Sequence, residues 1–423
     1  MTTEVSQIDV LKAQAAQAVK SGRMNRAEQL WLNIAEIAPR DVDALFALGF
    51  HAQIKGDKRL AIQFFRAAVE YSPPNPLFRL TVANALRANE DVEGHLVALT
   101  AALDADPYYL PAHFARADAL HAAGSKGQAV QVYRDVLRMV GPRENWPLQF
   151  LAELEKAQSA VHEQGLLAKD AYLNALKDLK SIALQDDWAR MDEAAAILAG
   201  TAKVYHQEPI MLHIPRLPAI PFYANADFAW VEALEAQSQT IIDELLANMA
   251  DAQDLSVPYV AYAPGVPVNQ WATLNHSERW SALFFYKNGE ANSTTHTQFP
   301  KTSDVLRSLP LAQIKGFCPN VMISTLAAKS TIPPHTGETN ARLVVHLPLI
   351  VPENCRYRVG NEWRSWEVGK ALIFDDSIEH EAINDSDEPR LVLIFDIWNP
   401  YLTAPEREGV CVLLAARNLN LES

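Results

Sequence analysis

The sequence has few cysteines, no long apolar run and no excess of basic residues. Its three cysteines, Cys318, Cys355 and Cys411, are far apart and form no CxxC pair, which argues against a disulfide framework and a thiolate zinc site. No stretch reaches the ~18 apolar residues of a membrane span, and the N-terminus lacks the apolar segment of a signal peptide. We therefore expect a soluble, unprocessed protein of the reducing cytoplasm.

The charge balance is acidic, with 51 Asp and Glu against 37 Lys and Arg and a formal net charge of −14. Such an excess of negative charge argues against a general affinity for nucleic acid or for an anionic membrane surface. A chain of 423 residues is longer than one ordinary domain. We therefore expect two or three domains, with neither nucleic acid nor membrane as a partner.

A period of 34 residues runs through the first 140 residues. Three residue types recur at this interval or at twice it: Pro39, Pro73 and Pro107; Gly22, Gly56 and Gly124; Ala27, Ala61 and Ala129. This is a period of helical-hairpin repeats. In the clearest unit, residues 42–75, Gly49 lets the paired helices approach and Phe65 fills the space between them. His95 stands where the other units have alanine.

This segment resembles the tetratricopeptide-repeat family. The resemblance implies a helical solenoid over residues 1–145 whose concave face binds a peptide or protein partner; a helical bundle without repeats is the alternative. Residues 146–208 remain rich in Ala, Leu, Lys and Glu and predict a helical connector or further helix pairs. Three prolines between residues 215 and 221 then end the helical pattern, and we expect a C-terminal domain over residues 209–423.

The C-terminal third has the patterns of β-strands. In residues 340–347, Arg342 and His346 lie on one face of a period-two alternation whose other face is leucine and valine. The Gly360-Asn361 pair separates two short runs and predicts a two-residue hairpin. Two later runs are nearly all apolar, residues 371–374 and 391–397. Together these patterns predict an antiparallel double-sheet roll or barrel, and hence a multidomain α plus β chain.

Two histidines flank these strands. We expect His335 just before one strand and His380 just after another, so that two loop-borne imidazoles meet at the mouth of the barrel. Non-haem iron oxygenases add a carboxylate two residues after the first histidine. That residue is Gly337 here, so a metal would keep two protein ligands. The alternative is that the two histidines are unrelated.

A single arginine begins the last apolar strand. Arg390 lies ten residues after His380, and a guanidinium that enters a buried strand needs an anion, which its fork can bind through two hydrogen bonds. The anion would be the distal carboxylate of a co-substrate. The alternative is an ion pair with a neighbour such as Asp376 or Asp387.

Several of these segments, in this order, resemble the aspartyl/asparaginyl beta-hydroxylase family: HTGETN from His335, RLVVHLPL from Arg342, FDDSIEHE from Phe374, and Arg390. The resemblance covers roughly residues 210–423. It implies a double-stranded β-helix (jelly-roll) oxygenase that uses Fe(II), 2-oxoglutarate and O2 to hydroxylate the beta-carbon of an Asp or Asn residue or of a related acceptor.

The resemblance also implies roles for particular residues. His335 and His380 would bind iron, Arg390 and Ser324 would hold the far carboxylate of 2-oxoglutarate, and His346 would assist at the carboxylate nearer the metal. Better-known members have an arginine two residues before the histidine that corresponds to His346. This chain has Val344 there, and Arg342 lies two residues earlier, on the same strand face.

Three alternatives remain open at this stage. Arg342 replaces the missing arginine at 2-oxoglutarate, or it pairs with an acidic neighbour such as Glu338. The open coordination position beside Gly337 could hold chloride, as in iron halogenases. The protein could also be an adaptor that senses 2-oxoglutarate or iron without turnover and acts through its repeats. The acceptor, whether free amino acid, peptide or protein, cannot be read from the residues.

Overall fold

A computed structural model describes residues 2–182 and 188–422. The chain divides into two compact units, unit 1 (Met1–Thr201) and unit 2 (Ala202–Ser423). Residues 183–187 of the predicted connector lie outside the described residues, and the domain limits at 145 and 208 stay predictions. No helix within the described ranges is long and apolar enough to cross a membrane.

The described part of unit 1 is entirely helical in its regular structure. Its α-helices are α1 (Thr2–Lys20), α2 (Met24–Ile37), α3 (Val42–Ile54), α4 (Lys58–Tyr71), α5 (Pro76–Ala88), α6 (Val92–Ala105), α7 (Leu110–Ala122), α8 (Lys126–Val140), α9 (Leu151–Ile182) and α10 (Trp188–Ala199). The first eight form four hairpins, and each hairpin packs on the next. The 34-residue period is therefore confirmed as an array of helical-hairpin repeats.

Within the hairpin of α3 and α4, a small residue lets the two helices approach. Gly49 of α3 lies against the ring of Phe65 of α4, where a Cβ atom would collide with the ring. Phe65 is fully buried. His95, which replaces the repeating alanine, is also buried, and its Nδ1 lies 2.8 Å from the carbonyl of Ala83. The array thus accommodates a larger side chain by giving it a backbone partner.

The turns within the hairpins contain a residue with positive φ. In three of them it is glycine, with φ of 71° at Gly22, 83° at Gly56 and 80° at Gly124, a conformation that glycine adopts without steric cost. In the hairpin of α5 and α6 the equivalent residue is Glu90, with φ of 62°. A side chain in this region costs about 1–2 kcal/mol.

We expect Glu90→Gly to stabilise the protein by roughly 0.5–1 kcal/mol, because relief of the strain exceeds the conformational entropy that glycine gains in the unfolded chain. Urea unfolding followed by circular dichroism measures the change. Gly56→Ala is the matched control and should destabilise by a similar amount. If Glu90→Gly unfolds at the same urea concentration as wild type or at a lower one, the turn is not strained.

Unit 2 contains all the described β-strands. They are β1 (Phe222–Tyr223), β2 (Val257–Pro258), β3 (Trp280–Lys287), β4 (Glu290–Ala291), β5 (Val321–Leu326), β6 (Ser330–His335), β7 (Arg342–Ile350), β8 (Cys355–Val359), β9 (Glu362–Arg364), β10 (Leu372–Phe374), β11 (His380–Asn384) and β12 (Arg390–Trp398). Its helices are α11 (Val231–Ala236), α12 (Ser238–Ala247), α13 (Met249–Asp254), α14 (Ser293–Gln298), α15 (Pro300–Arg307) and α16 (Ala404–Glu422).

Within the described residues these strands form two antiparallel sheets. The larger follows the order β1-β10-β7-β12-β5-β3-β2, with β4 also paired to β3, and the smaller follows β6-β11-β8-β9. Apolar side chains from both sheets form one cluster between them, including Val344, Val392, Tyr357 and Ala382. The double-sheet roll predicted from the sequence is confirmed.

The other face of the larger sheet packs against helices. Buried side chains of α11 and α12, such as Leu234 and Ile241, meet alternate residues of β7 and β12, such as Val345 and Leu393. One face of β7 therefore belongs to a closed apolar core. The opposite face, with Arg342, Val344 and His346, points between the sheets, where a site can form.

Candidate functional site

A cavity of about 440 Å³ lies between the two sheets. All six residues that the sequence singled out line it: Ser324, His335, Arg342, His346, His380 and Arg390. They come from five strands, because the inward faces of β5, β6, β7, β11 and β12 meet there. Its volume is within the range of pockets for small ligands.

The two histidines are cross-strand neighbours. His335 is the last residue of β6 and His380 the first of β11, and the two pair across these strands. Their ring centroids are 4.1 Å apart. The expectation that both lie on loops outside the strands is wrong. Strand β6 contains Pro333 and Pro334, and proline normally argues against a strand. The two prolines are tolerated here because β6 lies at the edge of the sheet.

Both imidazoles are oriented by the same local hydrogen bond. Nδ1 of His335 lies 2.8 Å from the carbonyl of Pro333, and Nδ1 of His380 lies 3.0 Å from that of Ile378. Because a carbonyl only accepts, each Nδ1 carries the proton and each Nε2 keeps its lone pair. This is the tautomer that metal-binding histidines show.

The protonation state of the pair suits metal binding. Burial lowers the pKa of His335 to about 3, and the neighbouring His380 adds to the effect. Burial likewise lowers the pKa of His380 to about 4. Both rings are therefore neutral at pH 7, as a metal ligand must be.

The space beside Gly337, two residues after His335, is occupied by the side chain of Asp376. A side chain at Gly337 would collide with the carboxylate of Asp376, and the Gly337 N–H donates to the Asp376 carbonyl at 2.7 Å. The Oδ1 atom of Asp376 is buried without a hydrogen-bond partner. Among residues 2–182 and 188–422, no three His, Cys, Asp or Glu side chains are arranged to hold a metal ion.

Arg390 is a buried cation that has no counter-ion among the described residues. It is 1% exposed, and its Nε and Nη1 atoms have no hydrogen-bond partner in the same part of the chain. Burial lowers the pKa of Arg390 to about 10. The two carboxylates considered as its partners are engaged elsewhere, Asp376 with Arg342 at 3.1 Å and Asp387 with Lys329 at 3.1 Å. A buried charge of this kind needs an anion.

Ser324 lies beside Arg390 on the inward face of the sheet. Ser324 pairs with Val392, and Arg390 pairs with Leu326, so the two are diagonal neighbours. The indole N–H of Trp280 donates to the Ser324 hydroxyl oxygen at 3.1 Å. The Ser324 hydroxyl hydrogen is then available to an anion held by Arg390.

His346 is oriented in the opposite sense to the histidine pair. The indole N–H of Trp366 lies 3.3 Å from its Nδ1, so Nδ1 accepts and Nε2 carries the proton. Burial, with contributions from Arg390 and His380, lowers the pKa of His346 well below its usual range. Trp366 also covers Arg390, whose Cζ lies 4.8 Å from the ring centroid. His346 is therefore a neutral hydrogen-bond donor.

Arg342 lies in an acidic network. Its Nη1 atom is 3.1 Å from Asp376 and 3.3 Å from Asp396, and its Nη2 atom is 4.0 Å from Glu338. Arg342, Asp376 and Asp396 are all buried. The guanidinium is thus neutralised by carboxylates, as in the ion-pair alternative considered for this residue.

Sequence reasoning missed the tryptophans that orient the polar groups. The indole N–H of Trp280 donates to Ser324 and that of Trp366 to His346. Tyr259 stacks on Trp280 at 4.1 Å, and Trp271 lies edge-on to His335 at 4.9 Å. The only signal in the sequence is the high density of aromatic residues, which does not distinguish a packing ring from a donor.

Comparison with known proteins identifies relatives of unit 2. The family model described as Aspartyl/Asparaginyl beta-hydroxylase matches residues 235–400. The human aspartyl/asparaginyl beta-hydroxylase is 34% identical over 206 residues, which are 47% of this chain and 25% of that protein. The ornithine lipid ester-linked acyl 2-hydroxylase of Rhizobium tropici is 31% identical over 209 residues, 47% of this chain and 68% of that protein.

For unit 1, a solved structure of MamA overlaps 44% of this chain and 100% of its own, with 15% identity and a TM-score of 0.31. Unit 2 has the fold and the sequence of a hydroxylase domain. The chain belongs to the aspartyl/asparaginyl beta-hydroxylase family, a family of 2-oxoglutarate- and Fe(II)-dependent hydroxylases. It spans only 25% of the human hydroxylase and 55% of the human aspartate beta-hydroxylase domain-containing protein 2.

Proposed function

We propose that unit 2 is an Fe(II)- and 2-oxoglutarate-dependent hydroxylase that uses O2 to oxidise a C–H bond of an organic acceptor. One observation carries the proposal: a single cavity contains two neutral histidines that keep a lone pair on Nε2 and a buried arginine that has no counter-ion among the described residues. A cation-binding pair and an anion-binding group in one pocket suit a metal together with an oxoacid.

His335 and His380 would hold the iron through Nε2. Gly337 contributes no side chain, and the open coordination positions would be left to water and to the co-substrate. The unpartnered Oδ1 of Asp376 could accept a hydrogen bond from such a water. When bound, iron, 2-oxoglutarate and O2 supply oxidative decarboxylation to succinate and CO2, coupled to hydroxylation of the acceptor.

Arg390 and Ser324 would bind the far carboxylate of 2-oxoglutarate. The guanidinium offers two free N–H groups and Ser324 offers its hydroxyl hydrogen, held in place by Trp280. The Nε2–H of His346 would donate to the carboxylate nearer the metal, because Trp366 occupies Nδ1. These donors would bind both ends of the co-substrate.

We place Arg342 in the structural network and not on 2-oxoglutarate. We expect Arg342→Ala to lower the free energy of unfolding by about 3–5 kcal/mol, because Asp376 and Asp396 lose their cation in a buried site. The dissociation constant for 2-oxoglutarate should change less than threefold. Urea unfolding and calorimetric titration measure the two effects, with Arg342→Lys as the control that keeps the charge. Weaker 2-oxoglutarate binding at unchanged stability would assign Arg342 to the co-substrate.

The acceptor of the reaction is named differently among the relatives. One relative is called an aspartyl/asparaginyl beta-hydroxylase and another an ornithine lipid ester-linked acyl 2-hydroxylase. The beta-carbon of an Asp or Asn residue is the acceptor that the sequence resemblance implies. An acyl chain is the second candidate, and the cavity lining bears on the choice below.

Succinate formation by the purified chain with Fe(II), 2-oxoglutarate and O2 tests the proposal. We expect slow succinate release without acceptor, which stops when a chelator removes the iron. If 2-oxoglutarate binds without any release of succinate, the protein is a sensing adaptor. A chlorinated product in the presence of chloride would identify a halogenase.

We also propose that unit 1 binds a peptide or protein partner. Phe46 and Phe50 of α3 contact each other, and Phe46 contacts Phe78 of α5 at 4.3 Å. Phe50 is 43% exposed, so this aromatic cluster can receive an apolar anchor of a peptide. Phe50→Ala should release a partner that the full chain retains on an affinity column. Equal retention by both chains would exclude this surface.

A further inference from the structure

The inward face of the larger sheet has an apolar floor. Phe284 of β3 pairs with Met322 of β5, and Met322 pairs with Ile394 of β12. All three side chains line the cavity. Phe284 and Met322 form a small apolar cluster with Ala282, and Ile394 packs against this cluster and against the core between the sheets. Ile394 also pairs with His346. The apolar floor, Phe284, Met322 and Ile394, therefore runs across the sheet up to the proposed co-substrate site.

Apart from Lys287 at the outer end of this floor, no unpaired cation among the described lining residues is left for an acceptor. Among the described lining residues, Arg390 is assigned to the far carboxylate of 2-oxoglutarate, and Arg342 is paired with Asp376 and Asp396. Val344, between Arg342 and His346 on the same strand face, adds another apolar side chain. A carboxylate bound here would be buried without a partner, which is costly. An aliphatic chain would instead gain from burial.

The opening of the cavity combines exposed apolar side chains with one cation, unpaired among the described residues, and with Glu338, which lies 4.0 Å from Arg342. Ile210 is 70% exposed, Tyr259 41% and Tyr262 38%, and all three line the cavity. Lys287, at the end of β3, is exposed and has no ion pair within the described part of the chain. Its Nζ lies 4.9 Å from the ring centroid of Phe284. Lys287 thus places a positive charge at the outer end of the apolar floor.

We propose that the acceptor is an anionic amphiphile whose aliphatic chain lies on the apolar floor and whose head group binds Lys287. The inference rests on the proposed function and assigns its substrate class. A C–H bond of the chain is broken and a C–O bond formed. One oxygen atom of O2 enters the new hydroxyl group and the other enters succinate, while 2-oxoglutarate provides the electrons and releases CO2. A cavity of about 440 Å³ has the volume for a medium-length chain beside the co-substrate.

Dodecanoate, used below its micellar concentration with the full chain, tests the proposal by two readouts. Without O2, its binding is followed by tryptophan fluorescence, since Trp271 and Trp280 line the cavity. With Fe(II), 2-oxoglutarate and O2, we expect faster succinate formation and a product heavier by one oxygen atom. Dodecylammonium and a peptide that contains Asp and Asn are the comparison ligands.

Two variants test the two halves of the site. Lys287→Glu lies at the exposed rim and should fold; it should weaken dodecanoate binding about tenfold and favour dodecylammonium. Met322→Lys should abolish dodecanoate binding, because it places a charge in the apolar floor, whereas Met322→Leu should keep the affinity within about threefold. If Met322→Lys fails to fold, Lys287→Glu still decides the matter.

The outcomes separate this proposal from the function on which it rests. If 2-oxoglutarate binds and the Asp- and Asn-containing peptide accelerates succinate formation while dodecanoate does not, the amphiphile is wrong and the hydroxylase stands. Acceleration by a hydrophobic peptide alone has the same meaning. If dodecylammonium binds wild type as well as dodecanoate does, Lys287 has no role. Absence of iron-dependent succinate under every condition overturns the proposed function itself.

Discussion

Replacement of either His335 or His380 by alanine is expected to abolish Fe(II) binding and reduce turnover to background. The two rings are cross-strand neighbours with centroids 4.1 Å apart, and each keeps its Nε2 lone pair free. Loss of groups that merely orient a ligand costs about 10- to 100-fold in metal affinity. Loss of one of only two proposed protein ligands should lower the metal affinity by more than 100-fold.

Anaerobic calorimetric titration with Fe(II) measures this effect directly. His213, which is exposed, provides the matched control, since His213→Ala should bind iron as wild type does. The two variants should remain folded, because each removes a neutral ring, half-buried at His335 and buried at His380, and no buried charge. Near-wild-type iron affinity in either variant would remove that histidine from the site.

Replacement of Arg390 by methionine is expected to weaken 2-oxoglutarate binding by about 30-fold or more, since loss of a buried charge pair costs about 2–5 kcal/mol and 1.4 kcal/mol is tenfold. Iron binding should change little. The free protein should become more stable, because Arg390 is buried without a counter-ion and methionine fills a similar space without charge.

This combination distinguishes a binding residue from a structural one. A structural Arg390 would lose stability on substitution and leave the 2-oxoglutarate affinity intact. Arg390→Lys should lie between wild type and Arg390→Met in affinity, because it keeps the charge and loses the fork. Arg356, which is exposed and pairs with Asp385 at 3.4 Å, is the control arginine, and Arg356→Ala should change neither quantity.

The parts of this fold that were predicted from sequence are those with a strong period. The 34-residue spacing arises because each repeat is one helical hairpin with one turn. The alternation in β7 arises because one face of the strand packs against helices and the other lines the cavity. β6 was not predicted, because Pro333 and Pro334 contradict a strand unless the chain is known to lie at an edge. Whether a strand is central or at an edge depends on tertiary pairing.

The candidate site shows the same limit. Its histidines and Arg390 were identified because charged or metal-binding side chains are unexpected in apolar strands. Which groups they contact depends on residues far away in sequence: Trp366 lies 20 residues from His346 and Trp280 lies 44 from Ser324. The partners of Arg342 could not be chosen from sequence for the same reason, because Asp376 and Asp396 lie on other segments.

The prolines of β6 have a consequence for association between chains. An exposed sheet edge invites another chain to add a strand, which leads to aggregation. β6 forms one edge of the smaller sheet, and among the described strands it pairs with β11 alone. Pro333 and Pro334 offer no N–H to an incoming strand. The opposite edge, β9, has only three residues, two of them charged. The sheet that carries both proposed iron ligands is therefore protected at each edge against polymerisation.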